Sequence, residues 1–286
     1  MTRELEYVAT LRNTVQTLER LDEQYWLTRL EKRKLREMEF HDRHRSGADL
    51  AADQDTFDKF YGNKKYYRIA MRSRSYTERW IAKEAKGRVF LDYACGNGER
   101  ALLASKSGSL LSLGLDISPI SIANARRIAK ESGVDAVHFF QADAENTHLP
   151  DNSVDRIVCS GVLHHLDLSY AFPELRRILR PGGKILAIEA LKYNPALRLY
   201  RKLTPHMRTE WESQHILGLR ELEFARWFFD IGEVRFWHVV GYAAGKFPSL
   251  LPLLDRIDQL LERVPGIRLM AWMFTFELIS KKEQNP

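Results

Sequence analysis

Cysteine is scarce in this chain: Cys95 and Cys159 are the only two among 286 residues. Two cysteines cannot build a disulfide framework, and without a C-x-x-C pair there is no zinc site of ordinary spacing. No metal is expected, and the composition suits a reducing, cytoplasmic compartment. Long apolar runs are missing too. None approaches the ~18 residues that a spanning helix needs, and the opening MTRELEYVATLRN carries acids where a signal peptide would be apolar. That excludes a transmembrane segment and leaves room only for peripheral membrane contact. Extreme charge is also absent. A net charge of +6 is compatible with an anionic partner without requiring one. No internal repeat or low-complexity tract appears.

What is present suits a globular fold: 44% hydrophobic and 29% charged residues, with six Trp, eleven Tyr and fourteen Phe. From Thr2 to about His44 the pattern is helical, with Val8, Leu11, Val15, Leu18 and Tyr25 spaced by threes and fours. This predicts a long amphipathic helix that packs on its own chain or forms a homodimer with a second copy. RSGADLAADQD reads as a loop. The aromatic and basic stretch that follows reads as one or two helices ending near Gly87, either a solvated face or a lid. Residues 1–86 are therefore expected to form a helical extension and lid.

From Arg88 to about Leu191 strand and helix signals alternate. RVFLDYA, LLSLGLD, AVHFFQAD, VDRIVCSG and KILAIEA are apolar strands. The helix of SPISIANARRIAKESG has Ser118 as N-cap, Pro119 at its first position and Gly133 past its end. LSYAFPELRRILRPGG reads as a helix with a Pro-Gly-Gly stop. Apolar strands separated by helices predict an α/β fold with a parallel sheet covered on both faces. Residues 87–286 are expected to form this domain, with a helical insertion around 192–230 and two more strands, EVRFWHVV and MAWMFTFELIS.

The loop LDYACGNGERA raises the question of a ligand. Gly96, Gly98 and Ala101 satisfy the G-x-G-x-x-G/A spacing, and Asp116 follows at about the ~20-residue interval of a ribose-binding acid. Both features fit a nicotinamide dinucleotide as well as other nucleosides. Two more acids discriminate. Asp92 would repel a pyrophosphate but attract an ammonium group, and Asp143 can accept a bond from an adenine amine. Adenine, ribose and a zwitterionic amino acid together satisfy all three.

LDYACGNGE, LDIS, QADAENTHLPDNSVDRIVCSGVLHHL and LRPGGKILAIEA stand in order between Arg88 and Ala190. In this the chain resembles class I S-adenosylmethionine-dependent methyltransferases, in the group similar to ubiquinone-biosynthesis methyltransferases. The resemblance implies a Rossmann-like, seven-stranded, mostly parallel sheet with an antiparallel last strand. It also implies S-adenosylmethionine as cofactor: Asp92, Gly96 and Gly98 at the methionine end, Asp116 at the ribose, Ile117 against adenine, Asp143 with Ala144 at the adenine amine, and Ser160 beside the cofactor. The family usually has Gly where this chain has Ala94.

The expected reaction is methyl transfer to a small-molecule or lipid acceptor by in-line displacement, at oxygen first and then at nitrogen or carbon. His165 and His164, in GVLHHL, are the candidate bases because imidazole titrates near neutrality. His41, His206 and His215 are further candidates, and Glu189 can orient an acceptor. Tyr66, Tyr67, Tyr76, Trp211, Trp227, Phe228 and Phe229 would line an apolar pocket or belong to the core. Arg198, Arg201, Lys202 and Arg208 would meet an acidic group, an anionic membrane or simply solvent. Nucleic acid is a disfavoured acceptor, because CSGVLHHL replaces the Asn/Asp-Pro-Pro-Tyr/Phe of base-amine methyltransferases. A non-catalytic S-adenosylmethionine-binding scaffold is the other alternative.

Overall fold

The computed structural model describes residues 3–45, 70–245 and 247–282. Its centre is a seven-stranded sheet of β1 (Val89–Tyr93), β2 (Leu111–Asp116), β3 (Val137–Gln141), β4 (Val154–Ser160), β5 (Leu179–Ala190), β6 (Phe229–Trp237) and β7 (Met273–Ser280). The strands lie in the order β3-β2-β1-β4-β5-β7-β6. The first five run parallel, and β7 inserts antiparallel between β5 and β6. Every residue of β1 and β2 is buried. That is why these strands read as unbroken apolar runs rather than alternating ones. The chain moves outward from β1 to β2 and β3, then returns to β4 on the other side of β1. The reversal opens a crevice at the carboxyl ends of β1 and β4, where ligands of such sheets bind.

The helices are α1 (Arg3–Leu18), α2 (Glu23–Leu27), α3 (Lys32–Arg45), α4 (Met71–Glu84), α5 (Glu99–Lys106), α6 (Pro119–Glu131), α7 (Leu168–Ile178), α8 (Pro195–Leu203), α9 (Glu210–Gln214), α10 (Leu219–Ala225) and α11 (Leu251–Leu261). α6 starts as its sequence indicates: Ser118 Oγ accepts from the Ser121 amide at 2.9 Å, and Pro119 follows at the first position. Helices cover both faces of the sheet. Leu11, Val15 and Leu18 of α1 share one core with Leu91, Leu113 and Ile157. On the opposite face Trp80 and Ile81 of α4 pack with Phe90, Val158 and Leu186.

Several boundaries differ from the sequence reading. The opening segment is three helices rather than one, because Asp22 accepts from the Tyr25 amide at 2.8 Å and starts a new helix. Its apolar stripe is buried on this chain's own sheet, so the stripe is not a surface for a second copy. The segment Arg180–Gly183 opens β5 rather than ending a helix. The loop RSGADLAADQD, the start of the following helical segment, and Tyr66 and Tyr67 lie outside the described residues. Among the described residues, no helix is long and apolar enough to cross a membrane. Cys95 and Cys159 are both buried and free.

Candidate functional site

The glycine loop leaves β1 and turns into α5. Gly96 and Gly98 both take positive φ, +55° and +80°, a region that glycine enters without steric cost. Space demands glycine at 98 as well, since a Cβ there would come within 2.6 Å of the Phe139 ring. Ala94 also sits at positive φ, +59°. This strained position, worth ~1–2 kcal/mol for a residue with a Cβ, accounts physically for the glycine usual there in the family it resembles. Asp116, at the end of β2, fixes the loop from below. Its carboxylate accepts from the Gly96 amide at 2.8 Å and the Ser118 amide at 2.9 Å.

Asp92 is buried in β1 and accepts from the Ala101 amide at 3.3 Å. Its second oxygen, Oδ1, is buried with no hydrogen-bond partner. Burial raises this carboxyl to about 7, opposed by the charge of Arg100. An acid so placed is a strong acceptor for a cation that brings its own proton donors.

Asp143 lies two residues past β3. Its Oδ1 accepts from the Glu145 amide, and its Oδ2 receives the Lys34 ammonium at 2.6 Å. Lys34 also reaches Glu145 at 2.9 Å, and Arg33 binds the same carboxylate at 2.6 Å. Burial works against the Lys34 charge, but the bonds to Asp143 and Glu145 prevail and raise its pKa. At the other end of α3, Arg45 stands 3.7 Å from Asp116 and donates to Ser121 Oγ at 2.6 Å. Helix α3 thus lays cations on two of the acids expected to hold a nucleoside.

A cavity of about 100 Å³ lies between α3 and the strand ends. Asp116, Ile117, Asp143, Ala144, Ser160 and His165 all line it, together with Ala94. Asp92, Gly96 and Gly98 are not in its wall. His164 is not either, and the two adjacent histidines are held differently. His164 Nδ1 pairs with Glu189 at 2.6 Å, while the other Glu189 oxygen accepts from the Val162 and Leu163 amides. Glu189 is wholly buried, so this pair staples the turn after β4, and Glu189 does not face an acceptor. His165 instead faces the cavity, with its Nδ1 3.0 Å from Glu37 of α3.

The other expected residues divide between the cavity and the rest of the fold. His41 lines the cavity. His215 stacks on Trp211 at 3.9 Å, and the Arg33 guanidinium sits over that same indole. Trp211 thereby stands beside Arg33, which lines the cavity. Phe228 and Phe229 pack around Phe172, Trp227 is exposed, and Tyr76 binds Glu233 beside Trp237. Arg208 pairs with Glu212 rather than with solvent. Sequence reasoning missed Arg33, Lys34, Glu37 and Arg45. For the last three the signal was the spacing 34, 37, 41 and 45, one helix face that is polar throughout.

Residues 91–187 match the methyltransferase domain family. Those residues are a methyltransferase domain, and there the chain resembles class I S-adenosylmethionine-dependent methyltransferases. It is 34% identical over 111 residues to demethylmenaquinone methyltransferase of Thermus thermophilus, covering 38% of this chain and 50% of that one. It is 35% identical over 101 residues to 27-O-demethylrifamycin SV methyltransferase of Amycolatopsis mediterranei, covering 35% of this chain and 37% of that one. The chain thus spans half or less of the length of these relatives. Among solved structures, phospholethanolamine N-methyltransferase 2 of Haemonchus contortus shares the fold at a TM-score of 0.55 and 17% identity, over 84% of this chain and 60% of that one.

The residues of the methyltransferase domain fit S-adenosylmethionine, the family's cofactor. The partnerless Asp92 oxygen suits an ammonium group, and the two glycines let backbone approach the ligand. Asp116 retains acceptor capacity beyond its two amide bonds, since an ionised carboxylate offers about four lone-pair sites.

Proposed function

We propose that the chain transfers a methyl group from S-adenosylmethionine to a small-molecule or lipid acceptor, with oxygen the first target atom and nitrogen or carbon next. The observation that carries this is one cavity lined by Asp116, Asp143 and a carboxylate-held histidine, His165. In this reading Asp92 takes the ammonium of the cofactor, Asp116 the ribose hydroxyls, and Asp143 the adenine amine, with Ile117 and Ala144 against the adenine ring and Ser160 alongside. The cofactor supplies a methyl group already activated on a sulfonium.

The chain's own work is then alignment, exclusion of water and removal of a proton. Alignment can be worth ~7–11 kcal/mol of the barrier. His165 is the base, because its Nδ1 is committed to Glu37 and its Nε2 carries the lone pair. His164 holds the turn that presents it. A small-molecule acceptor is supported by the names of both relatives, one for a demethylmenaquinone and the other for a demethylrifamycin.

The test is methyl transfer from labelled S-adenosylmethionine to a panel of phenols, quinols and hydroxylated macrolactones. Labelled product is expected with at least one class, and His165→Ala should lower turnover by ~10²–10⁴-fold. Firm cofactor binding with no turnover on any class would favour a non-catalytic scaffold instead.

A further inference from the structure

We propose that Glu37, on helix α3, is the positioning residue that sets the tautomer and orientation of His165. The inference rests on the reading of His165 as the base. Glu37 is 5% exposed, and a carboxylate taken that far from water must be well paired. Both of its oxygens are. Oε1 accepts the hydroxyl of Thr209, and Oε2 faces His165 Nδ1 at 3.0 Å. Thr209 is itself fixed, since its Oγ1 accepts from the Glu212 amide at 3.1 Å as the N-cap of α9. The carboxylate therefore has a single orientation, set by the insertion on one side and offered to the imidazole on the other.

An ionised carboxylate can only accept, so the proton of that bond belongs to His165 Nδ1. In the neutral ring the lone pair then resides on Nε2. Among the described residues Glu37 is the carboxylate within hydrogen-bond distance of Nδ1; Glu212 comes within 4.8 Å of a ring nitrogen of His165 without a bond to it. His41 closes the third side, its ring edge-on to His165 at 5.1 Å. The pair joins elements far apart in sequence, one from α3 and one from the turn after β4. It forms only where α3 lies over the strand ends. His164 and Glu189 have the same chemistry, but their carboxylate is spent on two backbone amides and the pair lies outside the cavity wall.

The test is two-bond proton–nitrogen NMR of the histidine side chains in the full chain at neutral pH, with the His165 signal assigned by its loss in His165→Asn. The wild type should show the Nδ1–H tautomer. Glu37→Leu should shift His165 toward Nε2–H, and Thr209→Val should leave it Nδ1–H. Glu37→Gln keeps the shape and an acceptor; it should retain Nδ1–H while the proton resonance moves upfield as the bond loses its charge. This variant decides the matter if Glu37→Leu does not fold. An Nε2–H tautomer in the wild type, or no movement in either Glu37 variant, would overturn the proposal. The readout needs neither cofactor nor acceptor, so its outcome is separable from that of the methyl-transfer test. With any acceptor that turns over, Glu37→Gln should lower kcat at unchanged KM, by less than the ~10²–10⁴-fold attributable to a whole general base.

Discussion

Asp92 is an acid held by burial near 7, against an ordinary value of 3.8. The folded protein therefore keeps this proton where the unfolded chain has lost it. Between about pH 4 and 7 the Asp92 contribution turns progressively against folding, and above about 7 it levels off. Asp92→Asn removes that penalty. The variant should melt at a higher temperature than wild type above about pH 7 and show little difference near pH 4, read by thermal denaturation across pH. The same substitution should abolish binding of S-adenosylhomocysteine, because the ammonium loses its counter-charge. In the wild type, affinity should fall as pH drops below about 7, by up to ~10-fold per pH unit, since ionisation must accompany binding. An Asp92→Asn protein that melts lower at neutral pH would contradict this account. Stability and binding pull in opposite directions at this residue.

Among the described residues, helix α3 covers the cavity with Arg33, Lys34, Glu37, His41 and Arg45. Its cavity of about 100 Å³ is smaller than the ~300–1,000 Å³ of ligand pockets, and Arg45 and Lys34 occupy acids that the nucleoside would use. In the proposed reading Arg45 leaves Asp116, now 3.7 Å away, as the cofactor enters. An ion pair of this partly exposed kind is worth ~1 kcal/mol or less. Arg45→Met keeps the apolar stem and should speed association of S-adenosylhomocysteine and tighten it by up to about fivefold, measured by stopped flow. Weaker binding would mean that Arg45 holds the ligand rather than guarding its site. The part played by α3 was hard to read in sequence because its charges look like an ordinary solvated face. Helical periodicity locates a polar stripe, but only the fold shows that Lys34, Glu37 and Arg45 point, in that order, at the end of β3, the turn after β4 and the end of β2. The acids were easier, since Asp116 and Asp143 sit at or just past strand ends that the apolar runs mark out. His164 and His165 were both candidate bases, with His165 first; their different partners, Glu189 and Glu37, separate them.

At the scale of the molecule, the N-terminal helices and the sheet form one core. Leu11 of α1 is 1% exposed and belongs to the same cluster as the central strands. Leu11→Ala should cost ~2–5 kcal/mol and shift a single unfolding transition in calorimetry. Two separate transitions, with only the first displaced, would show instead that the extension folds apart from the sheet. The sheet was legible because its strands are continuous apolar runs between well-signalled helices such as α6. The extension was not, because an amphipathic stripe does not say which surface it covers. The central claim, that the strand ends bind S-adenosylmethionine, is tested most directly by calorimetric titration of the full chain with S-adenosylhomocysteine beside an NAD control. One-site binding of S-adenosylhomocysteine, with no heat from NAD, is the predicted result. A folded protein that binds NAD and ignores S-adenosylhomocysteine would contradict it.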